Sequence, residues 1–216
     1  MKKVPKISYS LLASLGKEEN LSNALLSISN VGIDMIHYDV SENKPTLEIG
    51  DIQKLKKCTF LPFDIHIASK DPIKDLDGLL LDAEDRVTIH VECGYAPEVL
   101  VELKRNLGCN LGLAINIETG IESLIPYMDV VDYVLFMAVT PGVSGMPFDE
   151  SILKKLSDFR LLYPQHNITI DGGITDKTAY IVREFEPEVL VSGSFILRDR
   201  NYGKQVFKLI GQDLNL

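Results

Sequence analysis

The sequence predicts a single-domain (β/α)8 barrel, and two observations carry that prediction. Eight short β-branched or apolar runs recur along the 216 residues, with longer amphipathic stretches between them. The runs repeat every 25 to 30 residues or so, about the length of one βα unit in a barrel of this size. Alternation of this kind implies parallel strands joined by crossovers, and near-continuous apolar runs imply strands covered on both faces.

Taken in order, the predicted strands are KISYSLL from Lys6, MIHYDV from Met35, LPFDIHI from Leu61 and RVTIHVE from Arg86. NLGLAI from Asn110, YVLFMAV from Tyr133, NITIDG from Asn167 and EVLVSG from Glu188 follow in the second half. Between them NLSNALLSISNVG, APEVLVELKRNLG, DESILKKLSDFRLLY and DKTAYIVREF read as helices. The third unit is the weakest, since DPIKDLDGLLLDAED leaves room only for a short helix. No linker or low-complexity tract divides the chain, so residues 1–216 are read as one domain. A doubly wound open sheet would carry a Gly-rich turn after its first strand, and SLLASLG offers none.

Composition narrows the function classes. A chain that is 45% hydrophobic and 25% charged is ordinary for a soluble globular protein. A net charge of −9 opposes a nucleic-acid or anionic-membrane partner, because a phosphate backbone demands a basic patch. It does not exclude a small phosphorylated ligand. The opening MKKVPKISYSLLASLG lacks the apolar stretch and cleavage site of a secretory signal, and no segment approaches the roughly 20 apolar residues of a bilayer span. Cys58, Cys93 and Cys109 have no CxxC spacing, so neither a disulfide framework nor a thiolate zinc site is expected. A cytoplasmic location follows.

Barrel chemistry sits at the C-terminal ends of the strands. His37 and Asp39 stand at i and i+2 in IHYDV and leave one face of their strand. His66 ends FDIHI, and Asp171 ends ITIDGG. Each alone is more often a hydrogen-bonded core group than a ligand. Together, two imidazoles and two carboxylates describe a divalent-metal shell suited to Zn2+, Mn2+ or Fe2+, and a cation removes the cost of ionising two buried carboxylates side by side. Asp64, two residues before His66, is a candidate to hold an imidazole N–H or to form a strand-end ion pair. His90 and Glu92 are read as pocket wall or structural groups pointing away from this cluster. Cys93 is read as a small buried residue rather than a nucleophile, and Asn116 and Thr119 receive no role.

A second constellation lies in the other half of the chain. VTPGVSGMPF, DGG and SGS follow the sixth, seventh and eighth strands. Gly142, Gly145, Gly172, Gly173 and Gly193 let backbone amides approach an anion, with Ser194 beside the last, at the usual phosphate end of this fold. The two halves together describe a ligand with a phosphate at one end and metal-chelating oxygens at the other.

These motifs, in this order and over nearly the whole chain, resemble the ribulose-phosphate 3-epimerase family. ISYSLL is similar to the family's P-S-I-L, matching at Ser10. IHYDV resembles H-x-D-V, FDIHI resembles D-x-H and TPGVSG resembles P-G-F-G-G. ITIDGG and VSGS resemble the D-G-G and G-S phosphate motifs. The resemblance implies a ribulose-phosphate-binding barrel with a metal on His37, Asp39, His66 and Asp171. It implies that Asp39 and Asp171 also act as acid and base on opposite faces of C3, through a cis-enediolate stabilised by the metal. Ser10, His66, Met137, Gly142, Gly145, Gly172, Gly173, Gly193 and Ser194 would bind substrate, and D-ribulose 5-phosphate and D-xylulose 5-phosphate would be the pair.

The sequence also departs from the family. DVSENKP is two residues shorter than D-V-M-D-G-H-F-V-P. Ser41 and Ala68 replace site methionines while Met137 keeps a third. Tyr9 replaces the proline of P-S-I-L, and Ser144 and Met146 alter the lid sequence. A reshaped pocket would suit a six-carbon ketose phosphate such as allulose 6-phosphate. A sugar-phosphate-binding barrel without turnover is the third reading, opposed by retention of all four ligands and Ser10. A decarboxylase would need D-x-K-x-x-D on the second strand, where only Lys44 occurs, in the loop. Association into a homo-oligomer is expected, with VFKLIGQDL near the C-terminus as a candidate face.

Overall fold

The computed structural model describes residues 3–15, 20–42, 47–139 and 146–212. Eight strands form a closed barrel: β1 (Lys6–Ser10), β2 (Met35–Ser41), β3 (Phe63–Ala68), β4 (Arg86–His90), β5 (Asn110–Ile115), β6 (Tyr133–Met137), β7 (Asn167–Asp171) and β8 (Val189–Ser192). Each pairs in parallel with its sequence neighbour, and β8 returns to β1. All eight predicted strands are present. Two end early: Leu11–Ser14 and Val91–Cys93 coil into 3-10 turns directly after β1 and β4.

The helices are α1 (Leu21–Ile28), α2 (Ile52–Leu55), α3 (Pro72–Asp75), α4 (Pro97–Leu107), α5 (Ile152–Leu162), α6 (Asp176–Val182) and α7 (Tyr202–Leu209). α1 starts where the Asn20 side chain accepts from the Asn23 N–H. α3 is as short as its sequence predicts, with Pro72 in the first turn and the Asp71 side chain as cap. The crossover after β5 is a 3-10 segment, Ile121–Tyr127, with Pro126 inside it; a proline has no N–H to continue an α-helical ladder. Among the described residues no helix is long and apolar enough to cross a membrane.

The strands are less uniformly apolar than their sequences suggest, because they alternate. One face carries Ile7, Ile36, Ile65, Val87, Leu113, Phe136, Ile170 and Leu190, all buried in the main apolar core shared with the helices. The other face points into the barrel. There Ser8 donates to Asp64 (3.1 Å), Arg86 donates across the barrel to Thr169 (2.6 Å), and Thr88 shares a hydrogen bond with Tyr133 (2.7 Å). The Arg86 guanidinium lies 3.7 Å from the centre of the Tyr133 ring. The barrel interior is therefore buried and polar on the β1–β4 side, where most groups satisfy one another, and a small apolar cluster of Ala114, Leu135 and Val191 lies on strands β5, β6 and β8.

α7 uses its apolar face on its own barrel. Val206 and Leu209 are buried in the main core, with Ile210 packed against it, while Phe207 is partly exposed.

Asp64 is fully buried, with Arg86 Nε 3.4 Å from its Oδ1 and His37 Nδ1 2.9 Å from its Oδ2. Burial opposes its ionisation, but Arg86 and His37 hold its pKa down to about 2. A folded-state pKa below the unfolded value of about 3.9 gives stability that is present above about pH 4 and lost as the pH falls toward 2. Asp64→Asn leaves the Arg86 charge uncompensated, and urea denaturation at pH 7 is expected to show a loss of about 3–5 kcal/mol. That deficit narrows as both proteins are taken from pH 4 toward pH 2.

Candidate functional site

The pairing of β2 with β3 sets His37 beside Asp64 and Asp39 beside His66. All four point into the barrel, in two layers. In the upper layer His37 Nε2 lies 3.1 Å from Asp39 Oδ1 and 3.6 Å from Asp171 Oδ2. His66 Nδ1 lies 3.3 Å from the same Asp39 oxygen. One ligand atom from each of His37, Asp39, His66 and Asp171 falls within 4.8 Å of every other. These donors are two nitrogens and two carboxylate oxygens, the chemistry a borderline divalent cation prefers, so the residues fit such an ion. The imidazoles are buried, whereas the Asp39 and Asp171 carboxylates keep 19% and 17% of their surface open to the cavity.

Two of the groups are held from behind by contacts outside the cluster. Asp64 accepts from His37 Nδ1, which turns Nε2 toward the cluster. The Ser10 hydroxyl donates to Asp39 Oδ2 at 3.2 Å. Burial alone would lower the His37 pKa, but Asp39 and Asp64, joined by Asp171, hold it well above the usual imidazole value. For Asp39 burial is again the opposing influence, and His37 and His66 keep the carboxyl well below its ordinary range.

The cluster forms one wall of a cavity of about 550 Å³ at the C-terminal end of the strands. Ser10, Asp39, His66, Met137 and Asp171 line it, together with Gly172, Gly173, Gly193 and Ser194. The glycines have a packing reason beyond any ligand. A Cβ on Gly193 would lie 2.7 Å from Ala13 Cβ, and one on Gly173, which adopts φ 62°, would strike the Phe148 backbone. Ser41 and Ala68 also line the cavity. Gly142, Gly145 and Ser144 lie outside the described residues, as do residues 43–45 of the DVSENKP loop.

The expectation that His90 and Glu92 point away from the cluster is wrong for His90. Arg86, Thr88 and His90 share one face of β4, and that face is the barrel interior. His90 Nε2 lies 2.8 Å from His66 Nε2, and the rings stack with centres 4.9 Å apart. Its Nδ1 lies 3.1 Å from Glu92 Oε2. Burial keeps the His90 pKa below the usual imidazole value, and hydrogen bonding by His90, Thr119 and Asn116 outweighs burial to hold Glu92 at about 2. Asp64 holds an imidazole N–H as proposed, although the ring is that of His37 rather than His66, and it forms the ion pair as well. Burial pushes the Cys93 thiol up, in keeping with an unreactive residue.

Sequence reasoning missed Arg198, Thr175 and Thr178. All three line the cavity beside Ser194, and Arg198 is the only arginine or lysine among its described lining residues. RDR follows the eighth strand in plain view, but nothing in it tells which arginine turns inward.

A sequence model of the ribulose-phosphate 3 epimerase family matches residues 6–197. The chain is 30% identical over 200 residues to the ribulose-phosphate 3-epimerase of Schizosaccharomyces pombe, with 88% of this chain and 86% of that one covered. It is 29% identical over 212 residues to the chloroplastic ribulose-5-phosphate-3-epimerase of Arabidopsis thaliana, covering 94% and 73%. With the ribulose-phosphate 3-epimerase of Bacillus subtilis the identity is 26% over 220 residues, covering 98% and 99%. Among solved structures, phosphoribosyl anthranilate isomerase from Thermococcus kodakaraensis superposes with a TM-score of 0.66 at 14% identity, covering 96% and 99%. A tryptophan synthase alpha-subunit from Pyrococcus furiosus reaches 0.67 at 12%, covering 97% and 99%. At such identities the likeness is one of fold. The sequence match, which runs from the first strand to the turn after the eighth, is of another kind: this chain belongs to the ribulose-phosphate 3-epimerase family.

Proposed function

We propose that this chain is a metal-dependent ketose-phosphate 3-epimerase that interconverts D-ribulose 5-phosphate and D-xylulose 5-phosphate. The observation that carries the reading is the pair of partly exposed carboxylates, Asp39 and Asp171, meeting over one buried imidazole and lining one cavity with the glycine-rich strand ends.

Epimerisation at C3 needs a base on one face of the carbon and an acid on the other. One aspartate takes the C3 proton, and the electron pair left behind moves toward the C2 carbonyl to give an enediolate. The other aspartate, protonated at the outset, returns a proton to the opposite face. The proton then sits on the first aspartate, set for the reverse reaction. A divalent ion held by His37, Asp39, His66 and Asp171 would supply positive charge beside the oxygens on which charge develops. The Ser10 hydroxyl fixes the Asp39 carboxylate, and Met137 with Val139 gives the cavity an apolar wall that limits water.

The phosphate is assigned to Gly172, Gly173, Gly193 and Ser194, with Arg198 as the added cation. Ser41 and Ala68, small where the family carries methionine, favour a second reading in which the cavity takes a six-carbon ketose phosphate. Zinc, manganese and iron all suit the donors.

The reaction is tested in D2O with the metal-reconstituted protein and D-ribulose 5-phosphate. Deuterium is expected to appear at C3 together with xylulose 5-phosphate, and Asp171→Asn is expected to abolish both. Exchange with D-allulose 6-phosphate alone would move the assignment to the six-carbon sugar, and silence with both would sink the epimerase reading.

Arg198→Ala is expected to raise KM about tenfold with little change in kcat, equivalent to roughly 1.4 kcal/mol of uniform binding. An unchanged KM would remove Arg198 from the phosphate site.

Metal uptake is expected to depend on pH with a definite sign. Because the carboxylates hold the His37 pKa above its ordinary value, the ion must displace a proton from that ring, so affinity rises with pH until His37 is neutral. Titration calorimetry with Zn2+ or Mn2+ near pH 7, in buffers of different ionisation enthalpy, should report release of about one proton per ion.

A further inference from the structure

We propose that Glu92 and His90 act as positioning residues for the metal centre, forming a hydrogen-bond chain that forces the His66 proton onto Nε2 and leaves Nδ1 bare toward Asp39. The inference rests on the reading of His37, Asp39, His66 and Asp171 as a metal shell, and it gives His90, Glu92, Asn116 and Thr119 one shared role.

The chain is fixed from its outer end. Glu92 Oε1 accepts from the Asn116 N–H at 2.9 Å and from the Thr119 hydroxyl at 2.6 Å. The loop carrying those donors is tied down in turn, since Lys155 Nζ donates to the carbonyl oxygens of Asn116 and Ile117, each at 2.6 Å, and of Thr119 at 2.7 Å. An ionised carboxylate can only accept. Glu92 Oε2, 3.1 Å from His90 Nδ1, therefore takes a proton from that nitrogen. A neutral His90 then has a bare Nε2. That nitrogen, 2.8 Å from His66 Nε2, accepts the His66 N–H. The remaining His66 nitrogen, Nδ1, faces Asp39 Oδ1 at 3.3 Å with its lone pair free for an ion. The reverse order would set the lone pairs of His90 Nδ1 and Glu92 Oε2 against each other with nothing to relieve them, whereas the His66 Nδ1 and Asp39 Oδ1 lone pairs face each other across the place where a cation would sit.

The two histidines of the shell are thus oriented by the same device at different lengths. Asp64 fixes His37 directly, whereas Glu92 fixes His66 through an intervening imidazole stacked on it at 28°. Outer partners of metal-binding histidines set tautomer and ring orientation, and their loss typically weakens metal binding tenfold to a hundredfold.

Imidazole 15N NMR of the full chain, metal-free and zinc-loaded, reads the tautomers directly. Wild type is expected to carry the His66 proton on Nε2 and the His90 proton on Nδ1. His90→Phe keeps a stacked ring but removes the acceptor, and should weaken zinc binding at least tenfold. His90→Gln restores an oxygen acceptor near the Nε2 position and should recover much of the loss. A His66 proton on Nδ1, or a His90 protonated on both nitrogens, would overturn the proposal whether or not the variants fold. So would a folded His90→Phe protein whose zinc dissociation constant stays within threefold of wild type. If wild type takes up no zinc while His66 keeps its proton on Nε2, the metal reading fails and the hydrogen-bond chain stands. If zinc binds but the proton is on Nδ1, the reverse holds.

Discussion

Asp64 is a charged group with no exposed surface inside a closed barrel, and much of the architecture answers to it. A lone carboxylate there would be prohibitively costly. It is tolerated because Arg86 stands beside it in the adjoining strand, the Ser8 hydroxyl donates to it, and His37 offers Nδ1. Arg86 in turn needs Thr169 and the face of Tyr133. The polar layer continues until every strong group but a few has a partner. One consequence reaches the cavity: His37, bound from below by Asp64 through Nδ1, turns its other nitrogen toward Asp39 and Asp171.

The barrel divides its work between two halves. Strands β1 to β4 supply Ser10, His37, Asp39, His66 and His90, groups that donate, accept or ligate. Strands β6 to β8 supply Met137, Gly172, Gly173, Gly193 and Ser194, which shape a wall and expose backbone. Asp171, at the end of β7, joins the two. A chain of net charge −9 can bind a phosphate because only the local field in the cavity counts, and one arginine lies there. The glycines show why a ligand-binding motif is seldom for the ligand alone. Gly193 must be small for Ser10 and Ala13 to pack, so the same residue keeps β8 against β1 and keeps the cavity open.

Much of this was legible along the chain. Eight runs at regular spacing, with strand-to-strand crossovers, fix a barrel because each βα unit can close only against its neighbours. His37 with Asp39 was readable as a pair because a spacing of two is enough to share a face. Asp171 was readable because DGG ends a strand, where barrel chemistry collects. His90 could have been placed by the same rule, since Arg86, Thr88 and His90 alternate with Val87 and Ile89. Reading the strands as continuously apolar hid that alternation.

Local periodicity determined the elements, their order and the face each polar side chain takes, because those follow from backbone geometry within a few residues. Tertiary structure alone decided which groups meet. The stagger between β3 and β4 brings His90 onto His66, although its register partner on β3 is not His66, which pairs with Thr88. Closure of the barrel brings Arg86 to Thr169, 83 residues away, and the turn after β8 sends Arg198 into the cavity. Such contacts depend on how far each strand is shifted and tilted against the next, a property of the closed sheet that no single strand's sequence contains.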